Sequence, residues 1–256
     1  MTRFLGRFLS VLLCLLALAP ATAFAGKGLC PSNRLPPIVL PHLKQALRHN
    51  TEATIVALGS SSTAGFHASN IAHTYPAVLQ KELEKALPLS HVAVINRGVG
   101  GEDATEMLPR LEKDVLALGP AAVIWQVGAN GAMRRMDPEL FKSLVATGVE
   151  RLRAAGVDVV LMDNQRAPAI LASPEHARID QALAEVAAQH GAVLFTRGRL
   201  MDQWQNEGSS YAQFISDDGV HHNDRGYACV AKALAASILE GLGPEPIGAV
   251  QSASAR

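Results

Sequence analysis

Five short, mostly apolar runs, at 53–58, 91–95, 121–127, 157–162 and 192–196, alternate along the chain with longer stretches whose apolar residues recur at helical spacing. Runs of this length without polar alternation read as strands buried on both faces. The stretch 75–87 reads as a helix with Val78, Leu79, Leu83 and Leu87 on one face, and further helices are predicted over 103–118, 138–155, 174–190 and 224–242. Strand–helix alternation closes as a right-handed parallel sheet covered on both sides, so the expected fold is α/β, a three-layer α/β/α sandwich around five parallel strands. Neither a composition break nor an internal repeat divides the 256 residues. One domain is expected over 53–243, after a Pro-rich arm and first helix at 26–52 and before a disordered tail at 244–256, of which 248–256 is low in complexity.

The first 25 residues stand apart. Arg3 and Arg7 precede an apolar stretch at 8–18, which is too short to span a bilayer, and Ala23-Phe24-Ala25 offers a small-residue cleavage site. This is the layout of a signal peptide at 1–25, so an exported protein, periplasmic or secreted, is expected, with no stable membrane anchor after cleavage. Cys14 falls in that segment behind Leu13, which argues against a lipid-modified cysteine. Cys30 and Cys229 remain, as a disulfide or as two buried thiols, and an oxidising compartment favours the disulfide. Lys plus Arg and Asp plus Glu number 23 each, which gives no electrostatic footprint for nucleic acid or an anionic membrane surface.

In open α/β sheets ligands bind outside the carboxyl ends of the strands, so the strand-end turns are the places to search. The first strand runs into Gly59-Ser60-Ser61-Ser62-Thr63-Ala64-Gly65. This turn has no Lys for a phosphate-binding P-loop, and Thr63 stands where a Gly-x-Ser-x-Gly elbow needs glycine. By itself it is structural or carries a nucleophile. The second strand ends in Asn96-Arg97-Gly98-Val99-Gly100-Gly101-Glu102-Asp103, where Asp103 replaces the last glycine of a dinucleotide fingerprint. It is a plain glycine-rich turn, or a source of backbone N–H groups open to a ligand. The third ends in Gly128-Ala129-Asn130-Gly131, where Asn130 stabilises a turn or donates to a developing oxyanion. Far downstream lies Asp217-Asp218-Gly219-Val220-His221-His222-Asn223. A carboxylate three residues before a histidine can accept from Nδ1–H and leave Nε2 as a general base. A metal site is the alternative, but no HExxH or second histidine cluster accompanies it.

Taken together and in this order, these four elements resemble the blocks of the SGNH (GDSL) hydrolase family across about residues 53–235. The resemblance implies a flavodoxin-like α/β/α fold and a serine esterase, lipase or acetylesterase activity on acyl esters without cofactor or metal. It implies Ser61 as nucleophile, His221 as base, Asp218 as its partner, and an oxyanion hole of the Ser61 and Gly101 N–H groups with the Asn130 side chain. Two positions depart from the pattern: Ser60 stands for the usual aspartate of Gly-Asp-Ser, and Gly131 for the aspartate after the asparagine. The same triad could pass an acyl group to a sugar hydroxyl instead of water, and a non-catalytic binding module on this fold is the third reading. Export points to a small-molecule, glycan or lipid ester as the partner.

Several other residues lie near these elements. With only 7 Phe, 3 Tyr and 2 Trp there is no evident aromatic platform for long glycans. Met133, Met136 and the stretch 204–214 line an acyl pocket or, more in keeping with their spacing, belong to the core. Arg97, Arg134 and Arg135 read as surface arginines rather than as anion ligands. His67, His73 and His222 read as loop or packing histidines rather than a second base, and Gln165 follows the fourth strand as a candidate substrate contact.

Overall fold

The structure, a computed structural model, describes residues 30–32, 35–49 and 52–244. The predicted export segment, Cys14 and the predicted tail beyond Pro244 lie outside the described residues. Five strands, β1 (Glu52–Gly59), β2 (His91–Gly98), β3 (Ala122–Gln126), β4 (Asp158–Met162) and β5 (Val193–Phe195), form one parallel sheet in the order β2-β1-β3-β4-β5. The chain steps outward from β1 to β2 and then crosses back to place β3 on the other side of β1, so the strand order reverses between β1 and β3.

The strands are buried on both faces because their alternate residues enter two separate cores. Ile55, Ala57, Ile124, Val160 and Met162 face one core, and Val56, Leu58, Val123, Trp125, Val159 and Leu161 face the other. The first is closed by α1 (Pro41–His49), α3 (Tyr75–Ala86), α10 (Arg197–Asn206) and α11 (Asp224–Leu242), and the second by α7 (Pro138–Ala154) and α9 (His176–His190). Shorter helical pieces connect these elements, among them α2 (Ser61–Ala64), α4 (Ala104–Met107), α5 (Leu111–Asp114), α6 (Ala129–Met133), α8 (Pro168–Leu171) and a 3₁₀ turn at Ile71–His73. Among the described residues no helix is long and apolar enough to cross a membrane.

The predicted helix at 103–118 is broken. It runs as α4, a 3₁₀ turn at Leu108–Arg110, α5 and a second 3₁₀ turn at Leu116–Leu118. Pro109 sits inside the first 3₁₀ turn, where its missing N–H and fixed φ interrupt a continuous i→i−4 ladder. The stretch after β5, for which no helix is predicted, holds α10, and the helix expected from 174 begins at His176. Cys30 and Cys229 are joined by a disulfide with Cα atoms 5.4 Å apart across 199 residues of sequence. It fastens the entry arm to α11, and the arm's Leu35, Ile38 and Leu40 are themselves part of the core.

Candidate active site

Ser61 is the first residue of α2, directly after β1. The turn that presents it is fixed from three sides. Ser60 N–H and Ser60 Oγ–H both donate to Gln126 Oε1 at 3.0 Å, and Thr63 Oγ1 donates to the same oxygen at 3.2 Å. Asn96 Nδ2 donates to Thr63 O at 2.7 Å, while Asn96 Oδ1 accepts from Gly98 N–H at 2.8 Å, so the end of β2 clasps α2. Gly65 closes the short helix at φ +96°, a conformation that glycine adopts without a Cβ clash.

The loop before α11 brings the other groups. Ile215 and His222 pair as an isolated antiparallel bridge, and Ser216 N–H donates to His221 O at 2.8 Å, so the intervening residues form a tight closed turn. Within it Asp218 Oδ1 accepts from Ser216 Oγ at 2.6 Å and from the N–H groups of Val220 and His221 at 3.0 Å each. His221 Nδ1 lies 2.5 Å from Asp218 Oδ2, and His221 Nε2 lies 2.7 Å from Ser61 Oγ. Partial burial works to raise the Asp218 pKa, but the Ser216 hydroxyl, the imidazole and the two backbone donors outweigh it and hold the carboxyl well below the usual carboxylate range. An ionised Asp218 takes the Nδ1–H of His221, which leaves Nε2 as the acceptor for the Ser61 hydroxyl. The arrangement can therefore move a proton from Ser61 to His221.

Facing Ser61 are the ends of β2 and β3. Gly101 has φ +84°, and its carbonyl accepts from Arg134 Nη2 at 2.7 Å. Arg134 also pairs with Asp103 at 2.8 Å, and Asp103 forms a capping box with Glu106 at the start of α4. Burial opposes the Asp103 carboxylate, but the Thr105 N–H and Arg134 overcome it and lower its pKa. Asn130 lies in the first turn of α6, and its Nδ2 gives one hydrogen to Glu102 O at 2.7 Å, which turns the amide toward the β2 loop and leaves the second hydrogen for another acceptor. Among the described residues, neither the Ser61 nor the Gly101 N–H donates to a backbone acceptor.

The structure thus brings Ser61, His221 and Asp218 into contact and places Gly101 and Asn130 after β2 and β3, the two strands that flank β1. Gln165 is not a surface contact. It is fully buried, and its Nε2 donates to Val220 O at 2.8 Å and to Ser62 Oγ at 3.3 Å, linking the two loops from beneath. His222 is fully buried with Nδ1 against Phe214 O at 3.1 Å, and His73 is held by Asp224 at 2.8 Å. Trp204 and Phe214 are core residues whose rings meet at a tilt of 38° with centroids 4.5 Å apart, and Met133 and Met136 pack against the cores from their edges. Arg134 is half exposed but braces the Gly101 turn, which a reading as a bare surface arginine misses.

Two further residues escaped the sequence reading. Gln126 is a polar residue ending an otherwise apolar strand, and that break in pattern was a usable signal. His67 has no such signal: it reaches Asp218 Oδ2 with its Nε2 at 3.2 Å from φ +63°, a conformation its own sequence does not announce. His67, Asp218 and His221 place their ligand atoms within 4.8 Å of one another, a grouping able to hold a metal ion. In the structure His67 Nε2 and His221 Nδ1 both lie against Asp218 Oδ2.

A model of the non-GDSL lipase-like family matches residues 30–244. The chain belongs to this family. The Gly59-Ser60-Ser61 turn, without the aspartate of Gly-Asp-Ser, suits membership of a non-GDSL branch of the SGNH hydrolases. This non-GDSL lipase-like chain is similar to an arylesterase of Vibrio mimicus, 24% identical over 212 residues that cover 82% of this chain and 99% of that one. It is also similar to thioesterase 1/protease 1/lysophospholipase L1 of Escherichia coli K12, 24% identical over 170 residues covering 66% and 76%. Among solved structures, a lipase/acylhydrolase from Enterococcus faecalis superposes with a TM-score of 0.64 at 24% identity, covering 76% of this chain and 99% of that one.

Proposed function

We propose that this protein is an exported serine hydrolase of carboxylic esters. The observation that carries the proposal is the unbroken contact line from Asp218 Oδ2 through His221 to Ser61 Oγ, with steps of 2.5 Å and 2.7 Å. In the first half-reaction Ser61 Oγ attacks the acyl carbonyl carbon while His221 Nε2 takes its proton, and Asp218 holds the resulting imidazolium. The carbonyl oxygen, now an oxyanion, is met by the Ser61 and Gly101 N–H groups and the second hydrogen of Asn130 Nδ2. The imidazolium returns its proton to the departing alcohol. Water then repeats the sequence on the acyl-enzyme, releasing the acid and restoring Ser61.

The mouth of the crevice supports an ester with an apolar acyl or alcohol group. Phe66 is 52% exposed, its ring centre lies 5.6 Å from that of His221, and it packs over Gly100, so it bridges from the base toward the Gly101 turn. Val99, also exposed, extends that apolar wall. Export is supported by the layout of residues 1–25 and by the Cys30–Cys229 disulfide, since such bridges persist in oxidising compartments.

The test is hydrolysis of a p-nitrophenyl ester series from acetate to decanoate, with fluorophosphonate labelling of the folded protein. Ser61→Ala is expected to abolish labelling and reduce kcat to background, and Asn130→Ala to lower kcat by about 10²- to 10³-fold as the loss of one oxyanion donor. Wild-type rates in Ser61→Ala would sink the assignment.

A further inference from the structure

The break in the 103–118 stretch puts an arginine at the joint between β1 and the loop after β2. Arg110 follows Pro109 at the end of the first 3₁₀ turn with φ −93° and ψ 1°, so the chain leaves the helical path there before α5 begins. Its side chain is 14% exposed and its guanidinium serves three acceptors at once. Nε donates to Glu102 Oε2 at 2.7 Å, Nη1 to Asp114 Oδ2 at 3.0 Å and Nη2 to Gly59 O at 3.2 Å. A planar fork with fixed donor directions ties these acceptors to one geometry, which a point charge on a flexible stem does not. Two of the three lead to the proposed reaction centre. Gly59 is the last residue of β1, two before Ser61, and its carbonyl also takes the Val99 N–H at 2.9 Å. Glu102 lies three residues after Val99, and its main-chain oxygen is the acceptor that turns the Asn130 amide, at 2.7 Å. Arg134 grips the same loop elsewhere, through Gly101 O and the Asp103 carboxylate.

We propose that Arg110 is a positioning residue for the oxyanion site: it holds Glu102 where the Glu102 carbonyl aims the Asn130 amide at the acyl oxygen of the substrate. The effect on rate rests on the esterase reading; the placement of Asn130 rests on the hydrogen bonds alone. Arg110 touches neither the substrate nor the reacting atoms, and acts through Glu102 and then Asn130. Its bond to Gly59 O fixes where Glu102 is held relative to the end of β1, so the amide donor keeps a set distance from the strand that presents Ser61. Without Arg110 the Glu102 side chain loses its anchor, and the second hydrogen of Asn130 Nδ2 no longer falls at one place. Charge on the acyl oxygen develops as Ser61 attacks and is absent from the bound ester, so the loss belongs to kcat and not to KM. Arg134 does not make up for it, because its two contacts hold the residues on either side of Glu102 and leave Glu102 itself free to turn.

The test is a double-mutant cycle on the full chain. Arg110→Gln, Asn130→Ala and the pair are compared with wild type for kcat and KM on p-nitrophenyl acetate, with far-UV circular dichroism as the check on folding. Arg110→Lys, which keeps the charge but not the fork, takes the place of Arg110→Gln if that variant does not fold, and the same outcomes are read from it. Arg110→Gln is expected to lower kcat about tenfold with KM within about twofold of wild type, short of the 10²- to 10³-fold cost of losing the donor outright. In the Asn130→Ala background the same substitution is expected to cost less than about threefold, because the group it positions is already gone. A second measurement needs no turnover: the Asn130 side-chain amide pair, followed by heteronuclear NMR, is expected in Arg110→Gln to move toward the shifts of a free amide and to exchange with water at least about threefold faster. Equal cost of Arg110→Gln in the two backgrounds overturns the proposal, since a merely structural loss adds to that of Asn130. An unmoved Asn130 amide in the folded variant overturns it as well. A wild-type protein inert to the ester and to fluorophosphonate, whose Asn130 amide is nonetheless released by Arg110→Gln, would overturn the esterase reading and uphold the placement of Asn130 by Arg110.

Discussion

Replacing Gly98 by alanine should displace Ser61 without touching any group of the proposed triad. Gly98 ends β2, and a Cβ built on it would lie 2.1 Å from Ala64 N, 2.6 Å from Thr63 C and 2.7 Å from Ala64 Cα. All three are backbone atoms of α2, so no side chain can swing aside. Ordinary contact begins near 3.4 Å, and the α2 backbone must therefore retreat by about 1.3 Å in an interior that is already close-packed. Ser61 rides on that backbone, and the Asn96 Nδ2 bond to Thr63 O at 2.7 Å opens with it. A misplacement of about 1 Å in a reacting group costs on the order of 10² in rate, so kcat/KM on p-nitrophenyl acetate is expected to fall about 100-fold. Overpacking should also destabilise by about 1–3 kcal/mol, read as a lowered thermal midpoint. Gly98 does not have a positive φ, so the backbone itself accepts alanine and the effect is purely steric. Gly131→Ala is the matched control. It lies beside Asn130 in α6, its nearest neighbours are Met136 Sδ at 3.6 Å and Met136 Cβ and Phe141 Cδ2 at 3.7 Å, and alanine in a helix gains about 0.5–1 kcal/mol over glycine. Full activity with a raised midpoint is expected there. Gly98→Ala with kcat/KM within about threefold of wild type would refute the reasoning.

Two further outcomes rest on the scaffold. The Cys30–Cys229 bridge closes 199 residues of chain, for which loop entropy gives about 5 kcal/mol and measured native bridges about 2–5 kcal/mol. Reduction, or Cys30→Ser with Cys229→Ser, should thus lower the calorimetric midpoint by roughly 10 °C in a domain of this size while leaving kcat at 25 °C unchanged; an unmoved midpoint would mean that packing of Leu35, Ile38 and Leu40 alone holds the arm. Burial, aided by the charge of Arg197, pushes His222 down to about 3, so below its ordinary value the unfolded chain takes up a proton that the native state refuses. Stability from this group is complete above about pH 6.5 and falls as pH drops toward 3, by up to about 1.4 kcal/mol per unit. Urea unfolding at pH 7, 5.5 and 4.5 should show the gap between wild type and His222→Gln narrowing with acid, and a constant gap would remove His222 as the cause.

The layers of the fold were legible because strands buried on both faces leave an apolar signature and the helices between them repeat at their own period. The break of the 103–118 helix was written in Pro109, which a pattern of apolar spacing passes over. In the candidate site the contact of Ser61, His221 and Asp218 was legible from the order of the strand-end turns and the loop before the last helix, whereas each turn alone, those of Gly101 and Asn130 included, also read as plain structure. What stayed hidden was support that depends on distance rather than sequence. Gln165 lies 55 residues from Val220 and 103 from Ser62, yet it touches both. His67 and Arg134 read as surface residues because nothing local says that Asp218 lies within reach of one and the Gly101 carbonyl within reach of the other.

The serine at position 60 shows how the departure from Gly-Asp-Ser is accommodated. An aspartate there would bring its own acceptor to the turn, whereas Ser60 brings a donor, and the acceptor comes instead from Gln126 across the sheet. The amide orientation is forced: Ser60 N–H can only donate, so the atom facing it at 3.0 Å must be Oε1, and the Ser60 and Thr63 hydroxyls converge on it. Gln126 Nε2 is left buried without a partner, and an unsatisfied donor of that kind costs about 1–3 kcal/mol. The arrangement couples two halves of the site. Gln126 ends β3, whose register with β1 pairs Leu58 with Trp125, and two residues beyond Gln126 the chain enters the Gly128 turn that presents Asn130. Ser61 after β1 and Asn130 after β3 are therefore carried by directly paired strands at the point where the sheet order reverses, so a shift in β1–β3 packing changes their separation.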